Sequence, residues 1–168
     1  MRSPAVSVDV FVCGSPDRGD DGAAVRAAEA VRPGLPPDVR LRTVGQLDVE
    51  DLLAVPADAG VVIVDVATGL VPGTVVDLPL ADLAERGGVR PHSSHSLAVS
   101  GVVALAELLG GRPLRGRVIA LGGQAFGFGD VLSAPVAAAV PRLGAAIGEA
   151  IERVRAGHHA VPGGAPCA

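Results

Sequence analysis

The chain has 168 residues, 49% of them apolar and 19% charged, with a formal net charge of −4. That is enough apolar chain for one ordinary globular domain and too much for a disordered one. All 14 basic residues are Arg, with no Lys and no basic stripe, and only 2% of residues are aromatic, with no Trp or Tyr. This composition argues against a DNA, RNA or anionic-membrane partner, and leaves no stacking platform for single strands.

Residues 7–13, SVDVFVC, read as a short buried strand running into the Gly- and Asp-rich turn GSPDRGDDG. Residues 21–32 have helical spacing, with Asp20 and Asp21 at the amino end, where the dipole favours an acid. Residues 38–44 alternate as a strand does, and 47–55 read as a short helix. Residues 60–66, GVVIVDV, form the clearest buried strand, six apolar or Gly residues around one acid, Asp65. A turn and a further strand at 74–78 follow, expected at a sheet edge. Residues 87–94 read as a loop and 95–110 as a helix stopped by Gly110-Gly111. Residues 115–122 give the last strand, and the loop GGQAFGFGD leads to a long helix over 133–155. The expected domain is 1–155, with 156–168 a disordered tail.

Strands and helices mostly alternate, which implies a sheet with helices on both faces. Ligands of such sheets bind beyond the carboxyl ends of the strands, where the turn after the first strand, Asp65 and the loop before residue 95 should all open. Cys13 falls in a predicted strand and Cys167 in the tail, so there is no CxxC motif and no disulfide framework. The opening residues lack a signal-peptide core and no run of 18 apolar residues occurs, so the cytoplasm is the expected compartment.

The turn GSPDRGDDG is the first candidate site. Gly14 and Gly19 fit GxxxxG, but Asp20-Asp21 stand where a phosphate loop has Lys and Ser/Thr. Two carboxylates repel phosphate and attract a cation. Capping the helix is the ordinary reading, and it suits Asp20 better than Asp21. A charge in an apolar strand is costly unless paired or metal-bound, which marks Asp65. In PHSSHS, His95 opens a predicted helix and completes two acids and one imidazole, a sensible three-ligand set with an open position. His92 competes for that place as a solvated loop residue, and His158 and His159 sit in the tail. Acids after strand one and at the end of strand three also mark phospho-receiver domains, but those need a Lys to hold the phosphoryl group and this chain has none.

Together the segments are recognisable. GSPDRGDDG resembles the GNxxRGDDG turn of [NiFe]-hydrogenase maturation proteases. VVIVDVATGLVPGTV is similar to their VVxVDA block with its G-x-x-PGT turn, and SSHSLAVSGVVALAELLG to their SSHxLxLxxxLxLAxxLG block. GGQAFGFGDVLSAPVAAAV, with Gln46-Leu47, looks like a subset of the family. The match spans about residues 8–150 in the expected order. Ser15 stands where the family prefers Asn, and Thr68 where some members have a second acid.

The resemblance implies a three-layer α/β/α sandwich around a five-stranded, mostly parallel mixed sheet of phosphorylase/hydrolase-like type. It implies a metal-dependent endopeptidase that removes the C-terminal extension of a hydrogenase large-subunit precursor after nickel insertion. Asp21, Asp65 and His95 are then both the metal-contacting and the catalytic residues. The nickel is carried by the substrate, although zinc or cadmium could occupy the site in vitro. The expected partner is that precursor alone, with no nucleic acid or membrane, and the expected state is a monomer. Hydrolysis would need no protein nucleophile, since Cys13 and the Ser residues lack a base and orienter. A non-catalytic nickel-checkpoint protein or metallochaperone using the same trio is the alternative.

Overall fold

A computed structural model describes residues 6–83 and 99–158. Five strands, β1 (Val8–Cys13), β2 (Val39–Gly45), β3 (Gly60–Ala67), β4 (Val75–Pro79) and β5 (Gly116–Gly122), form one sheet in the order β2-β1-β3-β5-β4. β1 pairs in parallel with β2 and β3, β3 pairs in parallel with β5, and the edge strand β4 runs antiparallel to β5. Four α-helices complete the described residues: α1 (Ala23–Val31), α2 (Val49–Leu53), α3 (Val99–Gly110) and α4 (Ala134–His158).

The two-residue period of the strands divides the core. Val8, Val10, Val12, Val62, Val64, Ile119 and Leu121 point to one face, where α1 and α4 supply Ala24, Ala27, Leu143, Ile147 and Ile151. Phe11, Cys13, Val61, Ile63 and Val118 point to the other, against Leu52 of α2 and Val102, Val103 and Ala106 of α3. Each fully buried Val, Leu or Ile contributes about 1.5–3 kcal/mol. Helices on both faces of a five-stranded mixed sheet make the expected α/β/α sandwich. α4 is long and apolar enough to suit a membrane span, but its Val136, Leu143 and Ile147 are fully buried against the sheet.

Several boundaries differ from the sequence reading. The helix expected over 21–32 begins at Ala23, preceded by a 3₁₀ turn over Gly19–Gly22. Its N-cap is Gly22, without a side-chain hydrogen bond, so neither Asp20 nor Asp21 caps it. The helix expected over 47–55 is confined to Val49–Leu53, where Asp48 and Asp51 form a capping box. α4 continues to His158, beyond the expected start of the tail at 156. The loop at 87–94, His92, His95 and the first turn of the helix expected at 95–110 lie outside the described residues, as do His159 and Cys167.

The chain steps from β1 outward to β2, then returns to the other side of β1 to place β3. The carboxyl ends of β1 and β3 therefore flank a topological switch point, where the connections leave in opposite directions and open a crevice.

Candidate active site

β1 is followed by Gly14, whose φ of +121° is a conformation that side chains rarely adopt. A Cβ there would stand 2.2 Å from the carbonyl oxygen of Asp21. This glycine lets the turn fold back, so that the N–H of Ser15 donates to Asp21 Oδ2 at 2.8 Å. Ser15 thus holds the acid through its backbone. Burial pushes the Asp21 carboxyl above its ordinary range, and the Ser15 N–H and the charge of Arg18 only partly offset that.

Asp65 lies on β3 opposite Ala120 of β5. Its parity sends it to the α2 and α3 face, on the side of Val61 and Ile63. Burial raises its carboxyl to about 6, the N–H of Val66 opposes this at 2.9 Å, and the charge of Asp21 adds to the rise. The Asp21 charge disfavours the ionised form of Asp65, which is the electrostatic mark of a site short of positive charge. Cys13 sits at the same edge. Burial first, then the charge of Asp65, push its thiol far above the usual range, against a backbone hydrogen bond from Leu47, with Asp21 and Asp51 adding to the rise. A thiol so disfavoured from ionising is an inert small hydrophobe.

Asp20 is a different case, and one the sequence reading placed wrongly. Its side chain is fully buried. It accepts the N–H groups of Gln124 and Ala125 at 2.9 Å each, and the N–H and hydroxyl of Ser133 at 2.7 and 2.8 Å. Burial alone would raise its carboxyl, but these four bonds outweigh burial and hold it below the ordinary value. Asp20 therefore braces the 123–133 loop and the start of α4. Gly19 permits the close approach: its φ is +56°, and a Cβ there would lie 2.4 Å from the Ala125 carbonyl oxygen.

The structure thus brings Asp21 and Asp65 together at the switch point, while the position of His95 lies outside the described residues. Among the described residues, no group of three or more His, Cys, Asp and Glu side chains could hold a metal ion. The acid pair supplies two carboxylates and leaves any further ligand to come from elsewhere. A cavity of about 190 Å³ beside Arg115, Arg117 and Arg153 opens at the amino end of β5, remote from the acids.

A five-stranded α/β/α sandwich with an acid pair at its switch point places that pair where ligands of such sheets bind. No protein-family model matches the chain, and no curated protein matches it. Solved structures do. The HybD hydrogenase maturating endopeptidase of E. coli superposes with a TM-score of 0.72 at 19% identity, covering 88% of this chain and 93% of that one. The [NiFe] hydrogenase maturation protease HybD of Thermococcus kodakarensis gives 0.66 at 20% identity, covering 89% and 99%. HycI from the same organism gives 0.65 at 24% identity, covering 89% and 95%. The chain has the fold of the [NiFe]-hydrogenase maturation proteases.

Proposed function

We propose that the chain is the endopeptidase that removes the C-terminal extension of a [NiFe]-hydrogenase large-subunit precursor once nickel is in place. The observation that carries this reading is the meeting of Asp21 and Asp65 at the switch point of a fold shared with solved maturation proteases. The nickel belongs to the substrate, held by the precursor's own cysteines. Asp21, Asp65 and His95 engage it, and that contact sets the scissile bond against the acids. Positive charge relieves the repulsion between the two carboxylates, so a loaded precursor is favoured over an empty one.

In the free protein burial and the charge of Asp21 raise the Asp65 carboxyl to about 6, so it is still ionised at neutral pH when the precursor arrives. It accepts a proton from the attacking water, which adds to the scissile carbonyl. The carboxyl returns that proton to the scissile nitrogen, so collapse of the adduct expels the extension as an amine and leaves a new carboxylate on the subunit. Cys13 takes no part. The enzyme works as a cytoplasmic monomer on this one protein partner, and zinc or cadmium occupies the same place in vitro.

The test is incubation with precursor, nickel-loaded or nickel-free, followed by mass measurement of the large subunit. The loaded form should lose the mass of a C-terminal peptide and the empty form should not. Binding without any mass loss would instead identify a non-catalytic nickel checkpoint.

A further inference from the structure

The chain has three Phe residues. Phe11 is fully buried and Phe126 packs against the α1 and α4 core, whereas Phe128 is 91% exposed. Leaving a whole aromatic ring in water wastes its apolar surface unless something covers it. The ring stands on a heavily tied loop. Gly129 donates its N–H to the Asp17 carbonyl at 2.9 Å and accepts the Gly19 N–H at 2.7 Å, and Asp20 donates its own N–H to the Ala125 carbonyl at 2.7 Å. With the Asp20 carboxylate bracing the same loop, the order that binding usually costs is already in place.

The guanidinium of Arg18 lies over the ring, 4.8 Å from its centroid. Arg18 is exposed and makes no ion pair among the described residues, whereas Arg32, Arg40, Arg117, Arg153 and Arg155 all do. The Arg18 carbonyl accepts the Asp21 N–H at 3.2 Å, so this cation-capped ring adjoins the acid pair. Val131, also exposed, follows on the same loop. A net charge of −4 on a chain with so few aromatic residues does not suit nucleic acid. Aromatic side chains and Arg are each enriched at protein interfaces.

We propose that Arg18 and Phe128 form a docking plate for the protein substrate, with Arg18 pairing an acidic side chain on the precursor's surface and Phe128 covering an aliphatic one beside it. This rests on the reading of the chain as a precursor-processing endopeptidase. It adds a recognition element separate from the metal, which orients the large subunit before its nickel meets the acids.

The experiment compares binding of nickel-loaded precursor by the parent protein and by Phe128→Ala, Arg18→Gln and Arg18→Lys, at about 50 and 300 mM salt. Phe128→Ala should fold normally because the ring touches little, and should weaken binding about tenfold. Arg18→Gln should weaken binding comparably and flatten its salt dependence, while Arg18→Lys should retain that dependence. Arg18→Gln also alters the field at Asp21, so Phe128→Ala is the cleaner arm. Parent-like affinity in both Phe128→Ala and Arg18→Gln overturns the plate and leaves the proposed activity standing. Failure of the parent to bind the loaded precursor removes the activity and the plate's occupant together. A parent dimer that Phe128→Ala dissociates would show that a second copy covers the ring, and would also overturn the proposal.

Discussion

Asp20 and Asp21 are neighbours in one turn, and Asp65 sits across the sheet edge from them, yet the three carboxylates are treated in two opposite ways. Asp20 is fully buried and receives four hydrogen bonds, so the fold favours its ionised form. Asp65 is largely buried with one N–H bond and a like charge nearby, so the fold opposes its ionised form. Asp21 lies between these cases, held by Ser15 but still raised. A protein that needed these acids only for its own stability would satisfy all three alike. On the proposed function, the pair whose ionised form the fold opposes is kept for the cation that the substrate brings.

Substitutions separate the two treatments. The largest effect expected is from Asp20→Ala, which orphans three N–H groups and should destabilise the fold by about 3–5 kcal/mol in urea. A loss below about 1 kcal/mol would mean that the loop does not depend on this carboxylate. Gly14→Ala should cost about 2–4 kcal/mol, because the new Cβ meets backbone and the φ is strained; an unchanged denaturation midpoint would contradict the turn geometry. Asp65→Asn should act in the other direction, stabilising the free protein at pH 7.5 by at most about 3 kcal/mol, while abolishing processing. Asp21→Asn should stabilise less and also lose processing, read by the same melts and mass assay. A variant that is both more stable and inactive sharpens the contrast; one that is less stable breaks it.

Much of this arrangement was legible in the sequence. Each strand falls within a residue or two of its expected place because apolar runs and turn glycines are local signals, and β4 lies at the expected sheet edge. Asp65 stood out because an acid inside GVVIVDV has no local reason to be there. The role of Asp20 was not legible. Its partners lie 104 to 113 residues away, and three of its four bonds come from backbone N–H groups, which every residue but proline possesses. A consecutive pair of acids gives no local sign of which one turns inward. The Arg18–Phe128 stack was hidden for the same reason, since only the pairing of the two loops brings its members together.

The contrast between Asp20 and Asp65 is tested most directly by the pH dependence of unfolding free energy in the parent and in Asp65→Asn. The unfolded carboxyl titrates near 3.8 and the folded Asp65 near 6. The folded protein therefore holds the extra proton between those values, and this group's contribution to stability is lost as pH rises through that window. Asp20 contributes with the opposite sign, its stabilisation being present above the unfolded value and lost on acidification, and it does so equally in both proteins. The difference between the two curves should be near zero below about pH 4 and should grow in favour of Asp65→Asn to a plateau above about pH 6.5. A parent that is the more stable protein at pH 8 would show that Asp65 is satisfied by the fold and is not held in reserve for a cation.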